Sequence, residues 1–538
     1  MSVPCLESSA LTNSSSAVLS NNPSARNNKS FTTWKVKICA IMAFICYVII
    51  YSSRNLLNGL ILSRQGPITK LVSIALYVQP LSLISSLWIR RQLRQYTIRQ
   101  LLDHALLAFA IYFSLINFIL VKFRHVIDAD SFYINDFLSD GKSLYKRVDL
   151  LFVALSTVTS PTITVQYTMI VIFEFVVQYV LVFSFFNDLF SQKQFNSFIS
   201  ILCVCDVAGS FLSSIISSLY SGLGNLIGAH MIDTMQIAFF LMVSALCFVL
   251  LYLTKEIQKS TQQECAAELD DQFKIRVDNS DESVSLTTMG VISCILRNRF
   301  IRSISFYVIF FFFINELLYA SLETTICGMN GSTSEAVSSS VTRTTSIIRG
   351  VSSCVILVFL LSSLSRWLIT HKWTLLVYTT PLWCFFSCIT IFMLDTVRAG
   401  IEGLSLSFIN RKTSFLNDAD FIFFKDHLES ATLVISVVVC IFLKIVKTVA
   451  FFMSKETLTM MVDRKVRSRI RPIYDGMCPL IGKSLAAITM VVCAEIMETY
   501  NARVFSIFLL VISVFVVLYW LKNARYLCLR YMNDVYTG

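Results

Sequence analysis

The sequence predicts an all-α integral membrane protein with twelve transmembrane helices in two six-helix halves. Three observations predict it. Of 538 residues, 55% are hydrophobic and only 15% charged, with a mean hydropathy of +0.67, whereas soluble domains carry about 25% charged residues. Apolar runs of the length that crosses about 30 Å of hydrocarbon as helix recur along the whole chain. A mixed-charge interval at 254–299, without apolar period, divides those runs into six and six.

The first half places span 1 at about 35–53, closed by Arg54-Asn55, and span 2 at 70–89, closed by Arg90-Arg91. Span 3 follows at 103–122, span 4 at 164–186, span 5 at 195–219 and span 6 at 229–253, ahead of Lys255-Glu256. In the second half, span 7 is read at 300–325, span 8 at 345–365 before Arg366, and span 9 at 373–396. Span 10 lies at 431–453, span 11 at 475–497 and span 12 at 503–521, stopped by Lys522. The segment 149–160 is apolar but too short to cross, and Pro161 follows it, so it reads as interfacial.

Loop charge sets the orientation, because cytoplasmic connections collect Lys and Arg. With the amino terminus inside, the inner connections hold Arg90-Arg91, Arg366, Lys372, the 454–472 block and Lys522 to Arg530. The expected organisation is a disordered cytoplasmic tail at 1–33, rich in Ser and Asn and without a signal or transit peptide. A six-helix bundle at 34–253, a cytoplasmic linker at 254–299, a second bundle at 300–522 and a cytoplasmic tail at 523–538 follow. The sixteen cysteines are scattered through apolar segments without nearby histidines; neither a metal site, a cofactor nor a disulfide framework is predicted from them.

Ionisable residues inside spans need a reason, since each central charge costs roughly 2.5–3.5 kcal/mol to insert. Glu174, Asp206, Glu316, Lys444, Lys447 and Lys483 fall within spans, and Arg54, Glu323, Arg349 and Glu495 lie near enough to predicted ends to snorkel. The densest set runs from Lys447 through Lys455-Glu456 and the arginines 464–471 to Asp475 and Gly482-Lys483-Ser484. A polyanionic ligand would give that charge a purpose. Gly482-Lys483-Ser484 is no phosphate loop, since position 477 is methionine and an apolar span continues after it. His125 and Asp130 match an acyltransferase spacing, a weak pattern, so no enzyme activity is expected. Basic stretches with aromatics lie between spans, which argues against nucleic acid. The halves echo each other: Asp206 with Gly209-Ser210 in span 5 matches Asp475 with Gly482-Lys483-Ser484 in span 11. Such repeats about a charged linker suit a transporter that rocks two bundles around a midplane site.

The segment from Lys447 to Ser484 resembles, nearly without gaps, the stretch between helices 10 and 11 of the ATP/ADP translocase family, the nucleotide transporters of plastids, obligate intracellular bacteria and microsporidia. Lys455-Glu456, Asp463, Asp475 and Gly482-Lys483-Ser484 fall where that pattern expects them. The resemblance extends to Arg54-Asn55 through Gly66, to Phe186-Asn187-Asp188 leading into Asp206, and to Asn315-Glu316 in span 7. It is most similar to a microsporidian member. Leu57 and Ala320 stand where the family pattern has lysines, and Glu174 is the nearest match to its helix 4 glutamate.

What the resemblance implies is a major-facilitator-like antiporter of purine nucleotides working by alternating access. ATP and ADP, with GTP and GDP as further substrates, would be cargo, imported from the host into an intracellular parasite. Lys455, Glu316, Glu174, Arg54, Lys483, Asn187 and Asp475 are the implied substrate-binding residues. The expected location is the parasite plasma membrane, with both termini cytoplasmic, the lipid bilayer as surroundings and no obligate protein partner. The alternatives are a proton-coupled nucleotide symporter, with Asp206 or Glu316 carrying the proton, and a transporter of another solute.

Overall fold

The computed structural model describes residues 23–92, 95–128, 160–190, 192–227, 232–269, 298–329, 334–362, 373–410, 418–461, 476–497 and 502–537. Twelve helices among them are long and apolar enough to cross a membrane. They are α1 Trp34–Pro67, α2 Thr69–Ile89, α3 Ile98–Lys122, α4 Pro161–Phe186, α5 Ile201–Leu223 and α6 Asp233–Lys259, then α7 Arg299–Met329, α8 Ala336–Leu361, α9 Thr374–Gly400, α10 His427–Thr459, α11 Cys478–Ile496 and α12 Ser506–Asn533. The segment expected as interfacial, 149–160, lies outside the described residues.

The helices pack as two sets of six. In the first, α1 lies against α4, α5 and α6, and α3 against α6; in the second, α7 lies against α9, α10, α11 and α12, and α9 against α12. The sets meet where α1 and α5 pack on α8, and where α11 packs on α1 and α2. Among the described residues this is the expected all-α arrangement of twelve spans in two sets. Large apolar side chains such as Val358, Leu361 and Phe515 face outward, as suits helices solvated by lipid, whose backbone groups are all bonded within the helix.

Three helices, α1, α8 and α10, overrun their expected ends for one reason. The sequence of span 1 turns polar after residue 53, yet Tyr51, Arg54 and Asn58 recur at helical spacing and so share one face. The helix therefore continues, polar face inward, until Gly66 adopts a left-handed φ of 76° and Pro67 follows. In the same way α10 continues through Lys455 to Thr459, and α8 begins at Ala336. Arg54, Glu323 and Arg349, expected near span ends, lie instead well inside α1, α7 and α8. The helix of α6 runs on to Leu269 and that of α12 to Thr537, into stretches expected as linker and tail.

Two glycines allow close helix–helix approaches at matching places in the two halves. A Cβ on Gly209 of α5 would come 2.7 Å from Tyr47 Cβ of α1, and one on Gly482 of α11 would come 2.5 Å from the Ile309 carbonyl of α7. These are corresponding helix pairs in the two halves, which gives the echo between Gly209-Ser210 and Gly482-Lys483-Ser484 a packing cause. Wide π-helical turns interrupt α4 at Phe173–Val182 and α10 at Lys447–Phe452. Such turns rotate the side chains that follow them, and they recur at functional sites.

A cationic cavity at the junction of the two halves

Helical spacing builds the site. On α7, Phe312, Glu316, Tyr319, Glu323 and Ile326 follow one another at intervals of three and four and share one face. Tyr51, Arg54 and Asn58 do the same on α1, Thr345 and Arg349 on α8, and Lys444 and Lys447 on α10. With Lys70 of α2, Tyr167, Glu174 and Tyr179 of α4 and Lys483 of α11, these faces enclose a cavity of about 150 Å³. Its wall carries six cations (Arg54, Lys70, Arg349, Lys444, Lys447, Lys483) and three carboxylates (Glu174, Glu316, Glu323).

Two cations are held by carboxylates. Arg54 Nη1 donates to Glu174 Oε2 at 2.6 Å, within the first half. Lys70 Nζ lies 2.6 Å from both oxygens of Glu323, and Asn58 Nδ2 donates to Glu323 Oε1 at 2.8 Å. The remaining cations rest on neutral groups. Arg349 Nη1 donates to the Tyr51 carbonyl at 2.9 Å, with its guanidinium 4.9 Å from the centre of the Tyr51 ring. Lys444 donates to the Ser210 hydroxyl. Lys447 and Lys483 stand 5.5 Å and 5.7 Å from the centroid of the Phe312 ring. Among the described residues neither of these lysines, nor Glu316, forms an ion pair. Face-on contact with a ring is weak compensation for a buried ammonium, so the charges of Lys447 and Lys483 are only partly balanced by Phe312.

A second compartment, of about 90 Å³, adjoins the first and shares Tyr51, Tyr179, Phe312 and Lys447 with it. Its wall is aromatic: Tyr47 stacks with Tyr51, Tyr179 stacks with Phe183, and Phe451 and Phe452 complete it beside Asp206, Lys455 and Glu456. The Tyr51 hydroxyl donates to the Asp206 carboxylate.

Of the residues singled out in the sequence, Arg54, Glu174, Glu316 and Lys483 come together in the cationic cavity. Lys455 does not: it lines the aromatic compartment, its Nζ 3.1 Å from Glu456 Oε1 and 5.0 Å from the Phe452 ring centre. Asn187 lies on the helical turn Phe183–Leu189 that ends α4, its side chain outside the description, and Asp475 lies outside the described residues. Lys70 escaped the sequence reading because a lysine three residues after Gly66-Pro67 looks like an ordinary flanking cation. Arg349, Lys444 and Lys447 were visible as buried charges but not as parts of one site. The signal that unites them is spacing on a helix face, read across helices.

No family model matches the sequence. It is 22% identical over 505 residues to ADP,ATP carrier protein 1 of Paranosema grylli, covering 93% of this chain and 88% of that protein. It is 19% identical to ADP,ATP carrier protein 3 of Encephalitozoon cuniculi (strain GB-M1), covering 89% and 86%, and 20% identical to ADP,ATP carrier protein 1 of the same organism, covering 90% and 85%. Similar solved structures include the nucleoside transporter NupG (TM-score 0.44, 9% identity, 91% of this chain and 98% of that one) and a bacterial homologue of the iron transporter ferroportin in an inward-facing state (TM-score 0.45, 11% identity, 91% and 98%). These near full-length likenesses to the microsporidian carriers agree with the resemblance in the 447–484 segment.

Proposed function

We propose that the chain exchanges purine nucleotides, ATP against ADP, across a membrane by alternating access. The observation that carries this reading is the cavity wall of six cations and three carboxylates, opening onto an aromatic compartment. A di- or triphosphate supplies the negative charge the cationic wall lacks, through charge-assisted hydrogen bonds. A purine ring matches the stacked tyrosines and phenylalanines next to it. Arg54, Lys447 and Lys483 take the phosphates, and Tyr51, Tyr179 and Phe312, common to both compartments, mark the junction of phosphate and base. Lys455, in the aromatic compartment, acts on the path of entry.

The two halves, 34–253 and 300–522, move as bundles joined by 254–299. Contacts that cross between them must break and re-form: Lys70 with Glu323, Arg349 with the Tyr51 carbonyl, and Lys444 with Ser210. Nucleotide phosphates compete with Glu174 for Arg54, so the loaded and empty states differ in which ion pairs are satisfied. That difference is what allows a ligand to shift the conformational equilibrium. The loop charges favour both termini in the cytoplasm, and the location this reading expects is the plasma membrane of an intracellular parasite.

The test is uptake of radiolabelled ATP by bacterial cells expressing the chain, followed by a chase with unlabelled ADP, GTP or an ionophore. Uptake that chases out with ADP and is lost in Arg54→Ala is expected. Uptake abolished by the ionophore and indifferent to ADP would replace exchange with proton-coupled symport. Absence of any nucleotide uptake by protein present in the membrane would refute the cargo.

A further inference from the structure

On the outer surface of the bundle, the first turns of α7 and the middle of α12 enclose a groove of about 660 Å³ that is separate from the central cavity. Arg299, Arg302 and Phe306 line it from α7, and Tyr519, Lys522 and Tyr526 from α12. Both triplets run at intervals of three and four, so each is one helix face, and the two helices run antiparallel. The result is a ladder. At its outer end the Arg299 guanidinium lies over the Tyr526 ring, 4.4 Å from its centroid. Arg302 and Lys522 line the groove between the two ends. At its inner end Phe306 meets Tyr519 edge to face, 6.2 Å between centroids. Toward the middle of the span the ladder continues in apolar side chains: Phe310 packs against Tyr519, and Phe515, one turn before Tyr519 on α12, is 69% exposed.

Basic residues at helix ends have a topological cause, but that cause does not require cations of two helices to converge on one cavity above an exposed aromatic strip. No carboxylate lines the groove among the described residues. We propose that this groove binds one anionic phospholipid, its phosphate headgroup held by Arg299, Arg302 and Lys522 and its acyl chain lying along Phe306, Tyr519 and Phe515. A soluble phosphate uses the cations but leaves the aromatic strip bare. A zwitterionic lipid covers the strip but brings a second cation beside the arginines. An anionic lipid satisfies both ends, as basic pockets between membrane helices do elsewhere. Because α7 also carries Glu316 and Glu323, a lipid clamped here holds the helix that faces the central cavity against α12. The inference is independent of the cargo.

The experiment uses the full chain purified in neutral detergent. Thermal unfolding and native mass spectrometry are measured with phosphatidylglycerol, with phosphatidylcholine of the same chains, and with glycerol 3-phosphate. Retention of phosphatidylglycerol over phosphatidylcholine by roughly tenfold or more is expected from three cations beside an anionic headgroup. The preference disappears in the triple variant Arg299→Gln, Arg302→Gln, Lys522→Gln and survives in Arg91→Gln, Lys255→Gln, Lys259→Gln, which removes equal charge elsewhere. Equal loss in both triples would reduce the effect to bulk charge and overturn the site. Equal stabilisation by glycerol 3-phosphate would make it a free-phosphate site, and equal retention of both lipids would remove the headgroup role. A photoactivatable phosphatidylglycerol on the unaltered chain, needing no variant, must label peptides containing Phe306 or Tyr519; labelling confined to other helices refutes the groove.

Discussion

Lys70 of α2 and Glu323 of α7 form a buried ion pair that ties the two halves together, with Nζ 2.6 Å from both carboxylate oxygens and the lysine 3% exposed. Asn58 of α1 donates to the same carboxylate. The pair closes the cavity at the end where α1 meets α2, while the aromatic compartment lies toward the end where α1 begins. Removing one member strands a buried charge, so Lys70→Met should destabilise the protein by about 3–5 kcal/mol, whereas Lys70→Met with Glu323→Leu should recover most of that loss. Both should loosen the closed end, seen as faster maleimide labelling of Asn58→Cys. Unchanged labelling in the double variant would mean that the pair is not a latch.

The Arg54–Glu174 pair makes a different prediction, because under the proposed function carboxylate and substrate contend for one guanidinium. Arg54→Ala should abolish uptake. Glu174→Gln should tighten ATP binding by roughly tenfold, about 1.4 kcal/mol, while slowing exchange, since the empty carrier loses the ion pair that lets it reset. Binding and exchange must therefore be measured separately. If Glu174→Gln weakens both together, the glutamate contacts substrate directly or merely supports the fold, and the competition scheme is wrong.

Lys447 and Lys483 flank Phe312 from two helices, a geometry suited to bridging successive phosphates. Losing either side of a desolvated charged contact costs about 2–5 kcal/mol, so Lys447→Gln or Lys483→Gln should weaken ATP by that amount and AMP by much less. Lys455→Gln, in the neighbouring compartment, should alter the exchange rate more than the dissociation constant. Isothermal titration with the three adenine nucleotides separates these cases, and an equal loss for AMP and ATP in Lys447→Gln would place that lysine away from the outer phosphates.

The aromatic compartment predicts base selectivity. Tyr179 stacks with Phe183 and faces both compartments. Base–aromatic stacking is worth about 1–3 kcal/mol by alanine substitution, so Tyr179→Ala should weaken ATP while leaving inorganic triphosphate unaffected. An equal effect on both ligands would assign Tyr179 to the phosphate end or to packing.

How much of this was legible in the sequence follows from what a membrane does to the signal. Span number was plain, because twenty apolar residues have few other uses in such a chain. Span ends were not, because the residues that look like ends are those facing the cavity: Arg54 and Asn58 break the hydropathy of α1 without breaking the helix. Glu174, Glu316 and Lys483 stood out by being charged deep within apolar runs. Lys70 did not, since its depth follows from the close turn at Gly66-Pro67 rather than from its neighbours. Lys455 stands in the motif that carries the family resemblance, yet it sits about three helical turns from Lys444 on the same helix and lines the neighbouring compartment. Rank by motif and position in a cavity are separate properties, and only packing gives the second.

The triplet Gly482-Lys483-Ser484 supplies the sharpest contrast between motif and packing. As a phosphate-binding loop it would need the glycine for a backbone cradle and the serine for the ligand. In the structure the glycine lies inside α11 where that helix touches α7, and a Cβ there would come 2.5 Å from the Ile309 carbonyl and 3.0 Å from Phe312 Cβ. The contacting atoms are backbone and the stem of a ring, so neither can swing aside. Gly482→Ala must therefore push α11 from α7, at a cost of about 1–3 kcal/mol for overpacking, and move Lys483 with it. Thermal unfolding should show that loss, and ATP binding should fall with it through the displaced lysine. Ser484→Ala, one residue beyond the lysine, should change neither. If instead Ser484→Ala abolished ATP binding and Gly482→Ala left unfolding untouched, the triplet would be acting as a ligand loop and the close approach of α7 and α11 would not govern the position of Lys483.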